Sequence, residues 1–168
     1  MDIVRYGIIG LGNMGTGHMG YFQKGEVPGA KVTAICDIRQ DRIDRMVGKY
    51  PDAGFKTYLS YKDLVDGGEV DAVIVAVPHY FHPEIVIYAL KKGLNVICEK
   101  PVEMSVAALD EMLAAADKSG KFFTVHQNRR WDVDFLAMKQ IVNSGEIGEL
   151  INIESRIHGS RGIPSDWR

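Results

Sequence analysis

Apolar positions along the chain fall into short dense runs, separated by segments of helical period. Ile3 to Ile9 is mostly apolar and β-rich, which suits a buried strand. Asn13 to about Lys24 then reads as a helix, and Lys31 to Cys36 as a second strand. Helical spacing returns from Asp41 to about Lys49, with Ile43, Met46 and Val47 on one face, until Pro51-Asp52-Ala53-Gly54 breaks it. Phe55 to Tyr58 suits a short strand. Ser60 reads as the N-cap of a helix through about Val65, stopped by Gly67-Gly68. Val70 to Val77 is nearly all β-branched or small apolar, as in a parallel strand covered on both faces, and Pro78 ends it. His82-Pro83 opens a helix to about Lys92, with Pro83 near its first turn and Gly93 closing it. Leu94 to Cys98 is the next strand. Ser105 caps a helix through about Lys118, Gly120 terminates it, and Lys121 to Val125 is a further strand.

Strands thus alternate with helices through short loops. That order predicts an α/β fold: a doubly wound parallel sheet with helices on both faces and right-handed crossovers. Beyond it Asp132 to about Ser144 reads as a helix, and Glu149 to Ile157 alternates in part, like a strand. A lone strand there has unpaired edges, so it is expected to be disordered, to pack back on the first domain, or to pair between chains.

One turn in this pattern carries chemistry. Gly10, Gly12 and Gly15 form G-x-G-x-x-G between the first strand and the first helix. In a dinucleotide-binding (Rossmann) unit the first glycine makes the tight turn. The second lets backbone approach a pyrophosphate, and the third lets helix pack on strand. The helix N-terminus suits an anion. Asp37 stands at the end of the second strand, about 20 residues on, where a carboxylate accepts hydrogen bonds from the adenosine ribose. Asn13 and Met14 within the turn, and Ile38 and Arg39 beside Asp37, belong to the same expected seat. An acid there opposes a 2′-phosphate and a nearby Arg accommodates one, so NAD is expected and NADP stays open.

Ligands in such sheets bind at the carboxyl ends of the strands. Topology brings three further stretches to that rim: Val77-Pro78-His79, Glu99-Lys100-Pro101, and His126-Gln127-Asn128-Arg129-Arg130. His79 and His82 have H-x-x-H spacing, but no third ligand lies nearby in sequence. Helix capping or cofactor contact is preferred to metal. Trp131 and Trp167 read as packing residues. Arg129 and Arg130 read equally well as a surface pair or as ligand contacts.

Composition narrows the partners. The 168 residues carry a net charge of -2, with no basic stripe for nucleic acid and no polybasic run for a membrane. The longest apolar run, Ala72 to Pro78, is too short to span a bilayer. The N-terminus shows no signal-peptide pattern. With it, Cys36 and Cys98 near strand ends suggest reduced thiols in the cytoplasm. A homo-oligomer is left open.

Together, Gly10-x-Gly12-x-x-Gly15, Asp37, Val77-Pro78-His79 with His82, Glu99-Lys100-Pro101 and Asn128-Arg129-Arg130-Trp131-Asp132 resemble the Gfo/Idh/MocA oxidoreductases. The resemblance covers essentially the whole chain, and it implies a dinucleotide-binding domain over 1–126 and, over 127–168, only the beginning of a second α+β domain: its connecting helix and first strand. It implies that Lys100 is the active-site lysine, touching the substrate hydroxyl and the nicotinamide ribose, and that Glu99 helps bind that ribose. It implies a cis Lys100–Pro101 bond, with Val77, Pro78, His79 and His82 along the cofactor and Asn128 near its nicotinamide end. The substrate implied is a sugar, cyclitol or related polyol. The family's catalytic Asp and His lie in a later Gly-rich segment that nothing here matches, and His158 lacks that motif.

Hydride transfer from an alcohol needs the C–H facing the nicotinamide, a leaving hydroxyl proton and stabilised charge. A lysine at a strand end orients the hydroxyl and offsets charge. To act as base it needs a lowered pKa, which Glu99 beside it opposes. Lys100 is therefore expected to orient, with the base elsewhere and the chain inactive alone. A non-catalytic dinucleotide-binding module is the alternative. A third candidate, an S-adenosylmethionine-dependent methyltransferase, is disfavoured by Glu99-Lys100-Pro101.

Overall fold

The structure is a computed structural model and describes residues 3–156. Trp167, His158 and the predicted strand end at Ile157 lie outside those residues. The described chain divides between His126 and Gln127 into two compact units.

The first unit runs β1 (Val4–Ile9), α1 (Asn13–Gln23), β2 (Ala30–Cys36), α2 (Gln40–Lys49), β3 (Lys56–Tyr58), α3 (Tyr61–Asp66), β4 (Ala72–Val75), α4 (His82–Lys91), β5 (Asn95–Cys98), α5 (Val106–Ser119) and β6 (Phe123–Val125). All strand pairs are parallel, in the order β3-β2-β1-β4-β5-β6. The chain winds outward one way from β1 and the other way from β4. Their shared boundary is the switch point, where such sheets open a crevice.

The side-chain patterns explain the layers. β4, Ala-Val-Ile-Val, is buried at every position, as a central parallel strand must be. Ile8, Ile35 and Ile74 meet Met19 of α1 and Ile43 and Met46 of α2 on one face. Ile9, Val73 and Val75 meet α3, α4 and α5 on the other, through residues such as Leu64, Leu90 and Met112. Val47, expected beside Ile43 and Met46, is instead exposed, because the buried stripe of α2 is narrower than the pattern suggested. Ser60 occupies the N-cap of α3 but makes no capping hydrogen bond. The Ser105 hydroxyl does cap α5, accepting from Ala108 N at 3.4 Å, and Gly120 ends that helix in the left-handed conformation (φ 65°).

Cys36 and Cys98 are buried free thiols at the ends of β2 and β5. Burial pushes both up to about 12. Among the described residues no helix is long and apolar enough to cross a membrane.

The second unit contains a 3-10 turn (Asn128–Trp131) and α6 (Val133–Ser144). No residue of α6 is buried. Trp131, expected to pack, is 78% exposed. The strand expected from Glu149 does not form over its described part. Residues 151–156 have no regular secondary structure and are exposed. A strand needs a neighbour to satisfy its backbone, and alternation supplies none.

Candidate functional site

The turn after β1 has the shape its glycines imply. Gly10 takes φ +95°, and a Cβ there would stand 2.5 Å from Ala76 O, at the end of β4. Gly15 presses α1 against this turn so closely that a Cβ would lie 1.9 Å from Gly10 O. Neither position admits a side chain. Gly12 differs: a Cβ there would meet nothing within 4 Å. It is the N-cap of α1 and has no side chain to offer the helix amides. Close approach is therefore left open at Gly12 alone of the three, with a helix N-terminus behind it. Asn13 and Met14, the first residues of α1, are exposed there.

Asp37 points into this corner. It is 5% exposed, and its Oδ2 accepts from Leu11 N of the glycine turn at 2.8 Å. Its Oδ1 accepts from Arg39 N at 3.0 Å, and Arg42 Nη1 donates to Oδ2 at 3.2 Å. The Arg39 guanidinium turns away onto Asp41, donating to both carboxylate oxygens at 2.9 and 2.7 Å. Ile38 stands 84% exposed between them. Arg42, absent from the sequence reading, lies one helical step inside α2, where a local periodicity argument finds it only once the Asp37 orientation is known.

At the rim beyond β4, Val77 and Pro78 are half-buried, and His79 begins a 3-10 turn (His79–Phe81). Val77 lies against the glycine turn, its Cγ1 2.9 Å from where a Gly10 Cβ would be. His82 corrects the sequence reading. It is 1% exposed, with Nε2 2.9 Å from Val77 O and Nδ1 3.0 Å from Val102 O. It braces two loops and is not presented to a ligand.

Beyond β5, Lys100 is exposed and precedes Pro101 through a cis bond. Glu99 is 4% exposed. Its Oε1 accepts from His18 Nε2 at 2.7 Å and from His126 Nδ1 at 2.8 Å, while its Oε2 accepts from Lys100 N at 3.2 Å. Burial pushes this carboxyl up, but the two imidazole hydrogen bonds outweigh it and hold Glu99 below the ordinary glutamate value. Sequence reasoning missed His18 altogether and named His126 only as part of a rim stretch. The signal for His18 was its place three residues after Gly15, on the face of α1 that must turn to the sheet.

These three side chains are the group of His, Cys, Asp or Glu that comes close enough to share a metal ion among the described residues. Their 2.7 and 2.8 Å separations are those of direct hydrogen bonds. In the second unit, Arg129 pairs with Asp132 at 2.7 Å, and Asn128 opens the 3-10 turn.

Comparison with known proteins agrees with this geometry. The family model for oxidoreductases of the Gfo/Idh/MocA type with an NAD-binding Rossmann fold matches residues 4–127. Inositol 2-dehydrogenase of Salmonella typhimurium is 30% identical over 96% of this chain and 48% of its own length. Myo-inositol 2-dehydrogenase of Thermotoga maritima is 34% identical over 91% of this chain and 45% of its own. The chain thus spans about half the length of the curated relatives it matches. Among solved structures, an NAD-binding protein from Listeria innocua superposes with a TM-score of 0.89 at 38% identity, covering 99% of this chain and 48% of that one. Scyllo-inositol dehydrogenase from Lactobacillus casei, solved with NAD(H) and scyllo-inositol, gives 0.80 at 25% identity over 88% of this chain and 43% of its own. Glycine turn, buried aspartate, Glu-Lys-Pro rim and relatives agree, and the chain belongs to the Gfo/Idh/MocA oxidoreductase family, with that family's NAD-binding Rossmann fold.

Proposed function

We propose that this chain is the cofactor-binding half of a dehydrogenase acting on a secondary hydroxyl of a polyol, cyclitol or sugar. The observation that carries this is the open Gly12 position, framed by two glycines that admit no side chain and by the buried Asp37. The residues fit NAD(H). The first turn of α1 faces the pyrophosphate, Asp37 takes the adenosine ribose, and exposed Ile38 lies beside the adenine. When bound, the cofactor supplies the hydride acceptor or donor. Lys100 presents its ammonium to the substrate oxygen, orienting the hydroxyl and offsetting charge as its proton leaves. Val77, Pro78 and His79 wall the seat between the glycine turn and Lys100. In this reading Lys100 orients the hydroxyl without accepting its proton, and the chain binds cofactor without turning over by itself.

Fluorescence titration with NADH and NADPH tests this. NADH should bind, NADPH at least about tenfold more weakly, and Asp37→Ala should weaken NADH by about tenfold or more. Absence of binding by both cofactors would overturn the proposal.

A further inference from the structure

We infer that His18 and His126 are positioning residues: through the buried Glu99 carboxylate they fix the Lys100 end of the cofactor seat to the helix that opens its pyrophosphate end. The inference rests on the cofactor seat proposed above. A carboxylate this deeply buried is costly unless hydrogen-bonded. Oε1 is held by two imidazoles and Oε2 reaches the Lys100 amide.

The three residues come from three different places: α1, the residue after β5, and the residue after β6. Main-chain bonds continue the sheet ladder past its end, Glu99 N to Val75 O at 2.9 Å and His126 N to Cys98 O at 2.8 Å. Glu99 and His126 are therefore locked to the sheet, and Lys100 follows directly. His18 is one turn along α1 from Gly15, whose packing sets the glycine turn. A single oxygen atom thus joins the helix behind Gly12 to the loop carrying Lys100.

The surroundings strengthen the link. The two imidazoles meet edge to face with centroids 4.8 Å apart. They border a cleft of about 310 Å3 whose other walls include Tyr6, Phe22, Ile74 and Ile97. Apolar walls lower the local dielectric, so the imidazole–carboxylate bonds are stronger than at a wet surface. A network serving the core alone would hold the fold and leave every part of the ligand equally bound. A positioning network affects only the portion of the cofactor that reaches Lys100.

That difference is measurable with this chain by calorimetry. ADP carries the adenosine and pyrophosphate but neither the nicotinamide nor its ribose; NADH carries both halves. The unsubstituted chain should bind NADH more tightly than ADP. His126→Leu should weaken NADH about tenfold and ADP less than about twofold. His126→Asn, whose amide can donate where Nδ1 does, should recover most of the loss. If His126→Leu does not fold, His126→Ala takes its place, with added imidazole as the rescuing donor. Equal weakening of both ligands, unchanged NADH affinity, or no recovery in the rescued variants would overturn the inference. So would NADH binding no tighter than ADP in the unsubstituted chain. Failure of the unsubstituted chain to bind either ligand would instead remove the proposed cofactor seat.

Discussion

Gly12→Ala separates folding from binding at a single methyl group. Gly12 has φ -72° and ψ -164°, an extended conformation open to any L-residue, and a Cβ there meets no atom within 4 Å. Two stability effects oppose each other. Replacing glycine at a strain-free position narrows the unfolded ensemble and stabilises by about 0.4–1 kcal/mol. Alanine is a poorer N-cap than glycine, by a few tenths to about 1 kcal/mol. The sum lies within about 0.5 kcal/mol of zero, a melting shift of no more than about 2 °C for a chain of this size. Binding should respond very differently. The methyl group fills the space through which backbone would approach the pyrophosphate. Overpacking of that kind costs about 1–3 kcal/mol, or about 5- to 150-fold in NADH affinity. Thermal unfolding followed by circular dichroism, with NADH titration on the same sample, reads both. An unchanged melting temperature with unchanged NADH affinity would refute the placement of the pyrophosphate. A melting temperature lowered by 10 °C or more would refute the geometry of the turn.

Gly15→Ala should behave oppositely: its Cβ would lie 1.9 Å from Gly10 O, so α1 must move. Urea unfolding should show a loss of about 2–4 kcal/mol. Glu99, held below its ordinary value, contributes stability that is present above the unfolded carboxyl value of about 4.3. That contribution is lost as pH falls through the lower folded value. Unfolding free energy measured downward from pH 6 should show this acid limb, and Glu99→Gln should flatten it. Cys36 and Cys98, with thiols pushed up to about 12 by burial, should resist iodoacetamide in the native protein and react on unfolding.

Much of the scaffold is visible in local sequence. Val70 to Val77 is so uniformly apolar that only a two-sided burial suits it, and β4 lies within that run, buried at every residue. The capping serine at 105 and the glycine at 120 bound α5 as their conformational preferences require. The Glu99 cluster is a different matter. Its partners lie 81 and 27 residues away. Topology brings Glu99 and His126 to one rim, but no periodicity tells which way a rim side chain turns. His82 illustrates the same gap: its position just past the Val77-Pro78-His79 rim was readable, whereas its inward rotamer onto two carbonyls was not. The missing strand after Glu149 failed for a non-local reason too. Its residues favour extended structure, but the ladder must come from another segment.

The two acidic groups at the corner differ in their contact with water. Asp37 is only 5% exposed and hydrogen-bonded to the glycine turn, whereas the Arg39–Asp41 pair stands in solvent, where mobile ions readily shield it. In the proposed seat, rejection of a phosphorylated ribose therefore rests on the group that counterions reach least. Preference for the unphosphorylated nucleotide should persist in concentrated salt, even as attraction of anions to this surface fades.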